Sequence, residues 1–349
     1  MQTLLLNPSD VRENARMPEV IDAVEEAFAA YQRGDTQMPA KSYIDLPEYD
    51  GDFRSMPAYM DARGGSTATG PRDSEESRSS GTWDAAGIKW VNVHTDNAEQ
   101  YDLPTVLGTM IYSDPRNAFP LAIMDGTTLT RLRTGAAAAV ATDHLAVEDA
   151  RSLGIVGAGV QSYTQLEGIA CVRDIEEVVV ADRREAAVEA FVDRFDDAFD
   201  VRGGSIAEAA GCDVLSTVTP VRSPIVEAAD VGDHTHINAM GADAAGKQEL
   251  DPAIFPEATL VIDDYEQCTH SGEINVAWSE NRIDDDDIYA EVGEIVAGAA
   301  PGRTDADEVT VFDSTGLAIQ DVATAHVVYE HADEHGTGTR FGLVDTTVR

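Results

Sequence analysis

With 349 residues, 43% of them hydrophobic, the chain is long enough for about two domains with substantial cores. Its 64 acidic residues against 24 basic ones give a net charge of −40, which repels nucleic acid and anionic membranes and excludes both as partners. The acidity is spread through apparently folded segments, as in proteins of a high-salt cytoplasm, where screening removes the self-repulsion.

Taken in order, residues 9–33 place Val20, Ile21, Val24, Ala27, Phe28 and Tyr31 at i, i+3/i+4 spacing, which predicts one amphipathic helix stopped by Gly34-Asp35. Residues 38–60 hold short strand-like runs bounded by Pro and Gly, a hairpin or meander. Residues 61–83 turn to Gly, Ser, Thr, Arg and Asp and read as a polar inserted loop, too poor in apolar residues to pack. Strands are expected again at 86–94, 106–112 and 121–124, so the N-terminal third is an α+β domain. An alanine-rich helix over 127–145 then leads into alternating strands (153–157, 177–181, 213–218, 235–239, 259–263) and helices (161–171, 184–195), the rhythm of a doubly wound α/β Rossmann sheet. Two more helices are expected at 288–297 and 315–330, the second returning the chain to the first domain. The expected division is 1–126 with 320–349 for an α+β substrate-binding and dimerisation domain, and 127–319 for dinucleotide binding.

Cys171, Cys212 and Cys268 are widely spaced and contain no C-x-x-C, which suggests neither a disulfide framework nor a zinc site; no metal is expected. No apolar run reaches the roughly 18 residues of a membrane span. A basic region followed by an apolar core is missing at the N-terminus, so the expectation is a cytoplasmic protein.

The most informative stretch is Ser152-Leu-Gly-Ile-Val-Gly-Ala-Gly-Val-Gln161, an apolar run breaking into Gly157-Ala158-Gly159 and then a helix. Such a turn lets backbone N–H groups and a helix N-terminus approach a pyrophosphate. The motif is incomplete, with Ser162 at the third glycine position, and by itself fits a plain strand–turn–helix. The next strand ends in Asp182, 25 residues after Gly157, where a carboxylate can accept both ribose hydroxyls. That order makes a Rossmann unit.

Five polar residues sit beside apparent strand ends or helix starts. Lys89 interrupts an apolar strand, Arg133 lies on a small-residue helix, Lys41 and Arg54 fall among short strands, and Asp243 follows Asn238-Ala-Met-Gly-Ala. Each also has a bland reading: a solvent-facing lysine by alternation, a helix-surface arginine, ordinary surface cations, a turn-forming aspartate. A protein with so few cations keeps them for a reason, which weighs against the bland reading of Lys41 and Arg54.

Longer segments carry a resemblance. Lys89-Trp-Val-Asn-Val-His-Thr-Asp-Asn97, Leu103-Pro-Thr-Val-Leu-Gly-Thr-Met110, Ala122-Ile-Met-Asp-Gly-Thr-Thr-Leu-Thr-Arg-Leu-Arg-Thr-Gly-Ala136, Gly157-Ala-Gly-Val-Gln161, Asn238-Ala-Met-Gly-Ala-Asp243 and Phe312-Asp-Ser-Thr-Gly-Leu-Ala-Ile-Gln-Asp321 resemble the ornithine cyclodeaminase/mu-crystallin family, which includes the archaeal alanine dehydrogenases. The likeness runs in order over residues 38–325. It implies an NAD(P)(H)-dependent homodimer acting on a small amino or imino acid. Position by position it implies Lys89 as active-site lysine and Asp243 as catalytic acid. Arg133 matches the arginine that binds the substrate carboxylate; Lys41 matches a second carboxylate-binding position, and Thr315 faces substrate. For the nucleotide it implies Thr105, Val160, Gln161, Asp182, Thr217, Lys247 and Ser314, beside Gly157 and Gly159.

The expected chemistry suits these residues. An arginine fork holds a carboxylate in two hydrogen bonds, and a lysine among other cations loses its proton more readily. Cyclodeaminases carry an acidic residue two positions before the Met-Pro corresponding to Met56-Pro57; here it is Arg54, which would repel a side-chain ammonium. The pattern is closer to the archaeal alanine dehydrogenases, and the expected reaction is reversible NAD-dependent oxidative deamination of a small L-amino acid, alanine first. Asp182 favours NAD over NADP, although Arg183 and Arg184 follow it and could offset that preference. The alternatives are a cyclodeaminase-type lyase with bound NAD, a ketimine reductase, and a non-catalytic nucleotide-binding protein of the mu-crystallin kind.

Overall fold

A computed structural model describes residues 1–63 and 83–345. The expected polar loop at 61–83 therefore lies, apart from its ends, outside the described residues. The chain divides into two compact units, Met1–Arg133 with Leu317–Arg349, and Thr134–Gly316.

The first unit opens with strand β1 (Thr3–Leu6), helix α1 (Pro8–Glu13) and helix α2 (Met17–Arg33). The single helix expected over 9–33 is thus broken at residues 14–16. Pro18 has no N–H to give to a preceding turn and its ring crowds the carbonyl four residues back, so it can only start a new helix. Gly34, at φ 79°, ends α2 as expected. There follow β2 (Thr36–Gln37), β3 (Ser42–Leu46), β4 (Gly51–Asp61), β5 (Asp84–His94), the short α3 (Asn97–Gln100), β6 (Val106–Ser113), β7 (Pro120–Asp125) and the long α4 (Gly126–Leu145).

The second unit continues with β8 (Ser152–Val156), α5 (Val160–Ile169), β9 (Glu177–Ala181), α6 (Glu185–Phe195), β10 (Asp200–Gly203), α7 (Ile206–Ala210), β11 (Val214–Thr217), β12 (His236–Ala239), β13 (Ala258–Ile262), α8 (Tyr265–Ser271), α9 (Asn275–Ser279), β14 (Ile288–Glu291), α10 (Val292–Val296) and β15 (Val309–Asp313). The helix expected over 288–297 is in fact strand then helix. Pairing with β13 holds Ile288–Glu291 extended, and Glu291 caps the single helical stretch that follows. The chain returns to the first unit in α11 (Ala318–His335) and β16 (Thr339–Phe341).

Among the described residues each unit has one eight-stranded sheet. The first runs β16-β1-β7-β6-β5-β4-β2, with β3 also on β4, and is antiparallel except for the β1/β7 pair. The buried helix α11 lies against its strands β4, β5 and β6 and against α2. The second is parallel throughout, in the order β10-β9-β8-β11-β12-β15-β13-β14. Strand order reverses between β8 and β11, the switch point at which doubly wound Rossmann sheets hold their ligands. The expected fold class is present: a Rossmann sheet plus an α+β unit.

The glycine turn sits at that switch point. Gly157 has φ 103°, and a Cβ there would stand 2.9 Å from Thr219 Cγ2 and 3.0 Å from the Val218 carbonyl. Gly157→Ala is expected to cost about 2 kcal/mol, read as a lowered melting temperature, because strain and contact act together. No helix of the described residues is long and apolar enough to cross a membrane.

Candidate active site

In the first unit the cluster begins with strand register. Met56, Lys89 and Met110 face one another across β4, β5 and β6, and alternation turns all three to the side where α11 packs. Lys89 is only 1% exposed, so the solvent-facing reading of this lysine is excluded. Its ammonium donates to Asp321 Oδ1 at 2.8 Å and to Thr130 Oγ1 at 3.2 Å. Thr130 in turn donates to the Gly126 carbonyl, which fixes its hydroxyl. Arg133 is buried as well: its Nη1 donates to Gln320 Oε1 at 3.1 Å and its Nε lies 3.6 Å from Asp321 Oδ1.

Two cations thus share one buried carboxylate oxygen. Burial lowers the Lys89 pKa, Asp321 opposes that, and the charges of Arg133 and Lys41 lower it further, to about 8. Arg133 Nε, Gln320 Nε2 and Asp321 Oδ2 are buried with no hydrogen-bond partner among the described residues. Unsatisfied donors and an acceptor in one cluster are costly for folding alone and are the groups a polar ligand would use. Asp321, Gln320 and Thr130 were not among the site residues expected from sequence. The signal was present in Ala318-Ile-Gln-Asp-Val-Ala-Thr-Ala, where charge interrupts an apolar helix.

Arg54 departs from expectation. It lies on the same sheet face as Lys89, but its guanidinium is bound two-pronged by Asp52 (Nη2 to Oδ2 2.9 Å, Nε to Oδ1 3.2 Å) and lies 5.5 Å over the Tyr43 ring. The pair is close to neutral, so repulsion of an ammonium by a lone Arg54 cation is corrected to a much weaker bias. Lys41 is half-buried, and so is Thr105, whose carbonyl accepts the His94 N–H.

In the second unit the predicted nucleotide residues gather at the carboxyl-terminal edge of the parallel sheet. Gly159 caps α5, and a Cβ there would meet nothing within 4 Å, leaving its backbone open to close approach. Val160 is 56% exposed at the helix start, and Gln161 Oε1 is buried without a hydrogen-bond partner among the described residues. Asp182 accepts the Ala158 N–H at 2.9 Å, tying the end of β9 to the turn. Burial raises its pKa, but hydrogen bonds from Arg184 and Ala158 outweigh burial and hold the carboxyl below its ordinary value. The cation engaged here is Arg184, through Nε at 3.2 Å and its backbone N–H at 2.8 Å, rather than Arg183, which stays exposed.

Three other expectations need adjustment. Thr217 is fully buried and gives its hydroxyl to Glu249, while Thr219, two residues further on, lies against the Gly157 turn. Ser314 and Thr315 are buried and turn their hydroxyls to Asp263, at 2.8 and 3.4 Å. Asp243 and Lys247, expected in separate roles, form an ion pair four residues apart in the loop after β12.

A parallel sheet with its glycine turn at the switch point, beside a unit holding a buried lysine–carboxylate–arginine cluster, defines an α/β protein of the dinucleotide-binding type. The chain belongs to the ornithine cyclodeaminase/mu-crystallin family, matched over residues 1–71 and 77–336. It is 45% identical to the alanine dehydrogenase of Archaeoglobus fulgidus over 97% of this chain and 98% of that one. Among solved structures it is similar to an archaeal alanine dehydrogenase dimer with bound NAD (TM-score 0.88, 44% identity, 99% of this chain and 100% of that one). It is similar also to the Delta(1)-pyrroline-2-carboxylate reductase of Thermococcus litoralis in complex with NADH and L-proline (TM-score 0.88, 35% identity, 97% and 99%).

Proposed function

We propose that this protein catalyses the reversible NAD-dependent oxidative deamination of a small L-amino acid, L-alanine being the favoured substrate. The observation that carries the reading is the buried Lys89, held by Asp321 beside Arg133; burial and the neighbouring cations push its pKa down to about 8. Likeness to the alanine dehydrogenase supports alanine. NAD, when bound, supplies the hydride acceptor. Gly157, Gly159, Val160, Gln161, Asp182 and Thr219 would hold it: the positive-φ turn, the open Gly159 backbone and the carboxylate of Asp182 all fit a dinucleotide.

Arg133 holds the substrate carboxylate in two hydrogen bonds, with Lys41 adding charge. Lys89 accepts the proton that leaves the substrate amine as Cα is oxidised, and Asp321 steadies the resulting ammonium. Asp243 exchanges the second proton with the amine or with the water that hydrolyses the imine. Hydrolysis then yields the 2-oxo acid and ammonia.

A base of pKa about 8 must be unprotonated to act, so kcat/KM for deamination is expected to rise about tenfold per pH unit up to pH 8 and level off above. The same shift has a stability consequence. Between pH 8 and 10.5 the unfolded chain binds the Lys89 proton and the folded one does not, so this group's contribution to stability rises with pH across that window.

Cofactor choice is tested at Asp182. Asp182→Ser is expected to weaken NAD⁺ binding about tenfold and free Arg184 for a 2′-phosphate. Titration with NAD⁺ and NADP⁺ would count against Asp182 if the ratio of the two affinities stayed constant. The chain is also assigned to a homodimer, supported by Ile44 (52% exposed) and Trp90 (42%) on one outer sheet face; light scattering should give twice the chain mass.

A second reading, reduction of a cyclic imino acid, is favoured by the likeness to the pyrroline-2-carboxylate reductase. One substrate panel separates the readings, run in molar KCl to screen the acidic surface. NADH formed from NAD⁺ and L-alanine supports the dehydrogenase. NADH consumed only with pyrroline-2-carboxylate supports the reductase, and ammonia from L-ornithine without net NADH a lyase. Nucleotide binding with no turnover would leave a binding protein.

A further inference from the structure

Beneath the carboxyl-terminal edge of the parallel sheet, three buried carboxylates hold backbone in series. Asp313, the last residue of β15, accepts the N–H groups of Glu273 at 2.8 Å and Ile274 at 3.1 Å. Glu273 Oε1 accepts the N–H groups of Glu249 at 2.6 Å and Leu250 at 2.7 Å. Glu249, with no exposed surface, ends the series by reaching two loops at once. Its Oε1 accepts the Thr219 N–H at 2.7 Å, in the loop after β11. Its Oε2 accepts the Gly241 N–H at 3.0 Å, in the loop after β12, together with the Thr217 hydroxyl at 2.7 Å.

Both loops bear on the residues of the proposed function. Thr219 and Val218 fill the space that a Cβ on Gly157 would need, so the loop held by Oε1 is the floor of the glycine turn. Gly241 precedes Asp243 by two residues, so the loop held by Oε2 carries that carboxylate. The junction has no spare room: a Cβ on Gly241 would stand 2.3 Å from the Thr219 carbonyl and 2.4 Å from Glu249 Oε2.

We propose that Glu249 is a positioning residue for the nucleotide-binding edge, one carboxylate that locks the floor of the Gly157 turn to the loop bearing Asp243 and is itself anchored through Glu273 and Asp313. The identity of the nucleotide rests on the NAD reading above; the clamp between the loops does not.

The two loops use different oxygens, and that makes an isosteric test decisive. Glu249→Gln keeps the volume but must turn an NH₂ group toward one loop, setting donor against donor, so one loop is released. Gly241→Ala forces the junction apart from the other side. In the full-length protein in molar KCl without nucleotide, hydrogen–deuterium exchange of peptides covering 214–221 and 238–245 should be slow in the unaltered protein. It should speed up at least tenfold in Glu249→Gln, with unchanged far-ultraviolet circular dichroism. The NAD⁺ dissociation constant should rise about tenfold or more in both variants, as expected for loss of a hydrogen bond to a charged group. Unchanged exchange and unchanged affinity would overturn the proposal; so would unfolding of both variants, which would make Glu249 a support of the fold alone. Failure of the unaltered protein to bind NAD⁺ would overturn only the cofactor reading, since the exchange result stands without it.

Discussion

Lys89→Arg is expected to lower turnover about 10³-fold while leaving NAD⁺ affinity unchanged, the scale of a lost proton-transfer group. Arginine keeps the positive charge and can still bridge to Asp321, so the change isolates one property. A guanidinium does not lose its proton in the accessible pH range, whereas a lysine brought to about 8 does. Lys89→Met should be equally inactive, and less stable by about 3 kcal/mol because it leaves the buried Asp321 carboxylate with only the more distant Arg133, 3.6 Å away. Steady-state kinetics with a fluorescence titration of NAD⁺ checks both. Near-normal turnover in Lys89→Arg would reduce the lysine to a fixed charge.

The second large effect is expected at Asp321. Asp321→Asn should lower kcat by about 10²-fold, the cost of letting a catalytic group drift by an ångström or so, and should destabilise the fold by about 3 kcal/mol. Its distinguishing sign is in the pH profile. The Asp321 charge is what holds the Lys89 pKa up against burial and against Arg133 and Lys41. Removing it lowers that pKa further, so the residual activity should reach its plateau at a lower pH than in the unaltered enzyme. A profile that stays in place or moves to higher pH would show that Asp321 does not act through Lys89.

How much of this was legible in the sequence depended on how local each feature is. The glycine turn and Asp182 are contiguous chemistry on a strand–turn–helix–strand unit, and they emerged at the expected positions. Lys89 was visible as a charge inside an apolar strand, but its burial was not, because alternation alone allows either face. Asp321 was hidden for the opposite reason. A carboxylate in a helix ordinarily reads as surface, and only the packing of α11 against β4, β5 and β6 buries it, 232 positions along the chain from its lysine partner. Thr217 and Thr219 are two residues apart at a strand end, within the usual error of such boundaries, and the burial of the Thr217 hydroxyl against Glu249 depends on a partner 32 residues along the chain. Strand β15 is a short apolar run buried on both sides, and it carries too little pattern to announce itself. Arg54 taught the converse: its type suggested a free cation, but Asp52 on the same strand face occupies it.

The most direct test follows the hydrogen at Cα. Purified protein in molar KCl would be given NAD⁺ and L-alanine deuterated at C2, and the products followed by absorbance and mass spectrometry. Pyruvate, ammonia and a reduced nucleotide carrying one deuterium on its nicotinamide ring should accumulate in equal amounts. Ammonia released from an amino acid with no net reduced nucleotide, or no transfer of deuterium to the ring, would contradict an NAD-dependent amino-acid dehydrogenase.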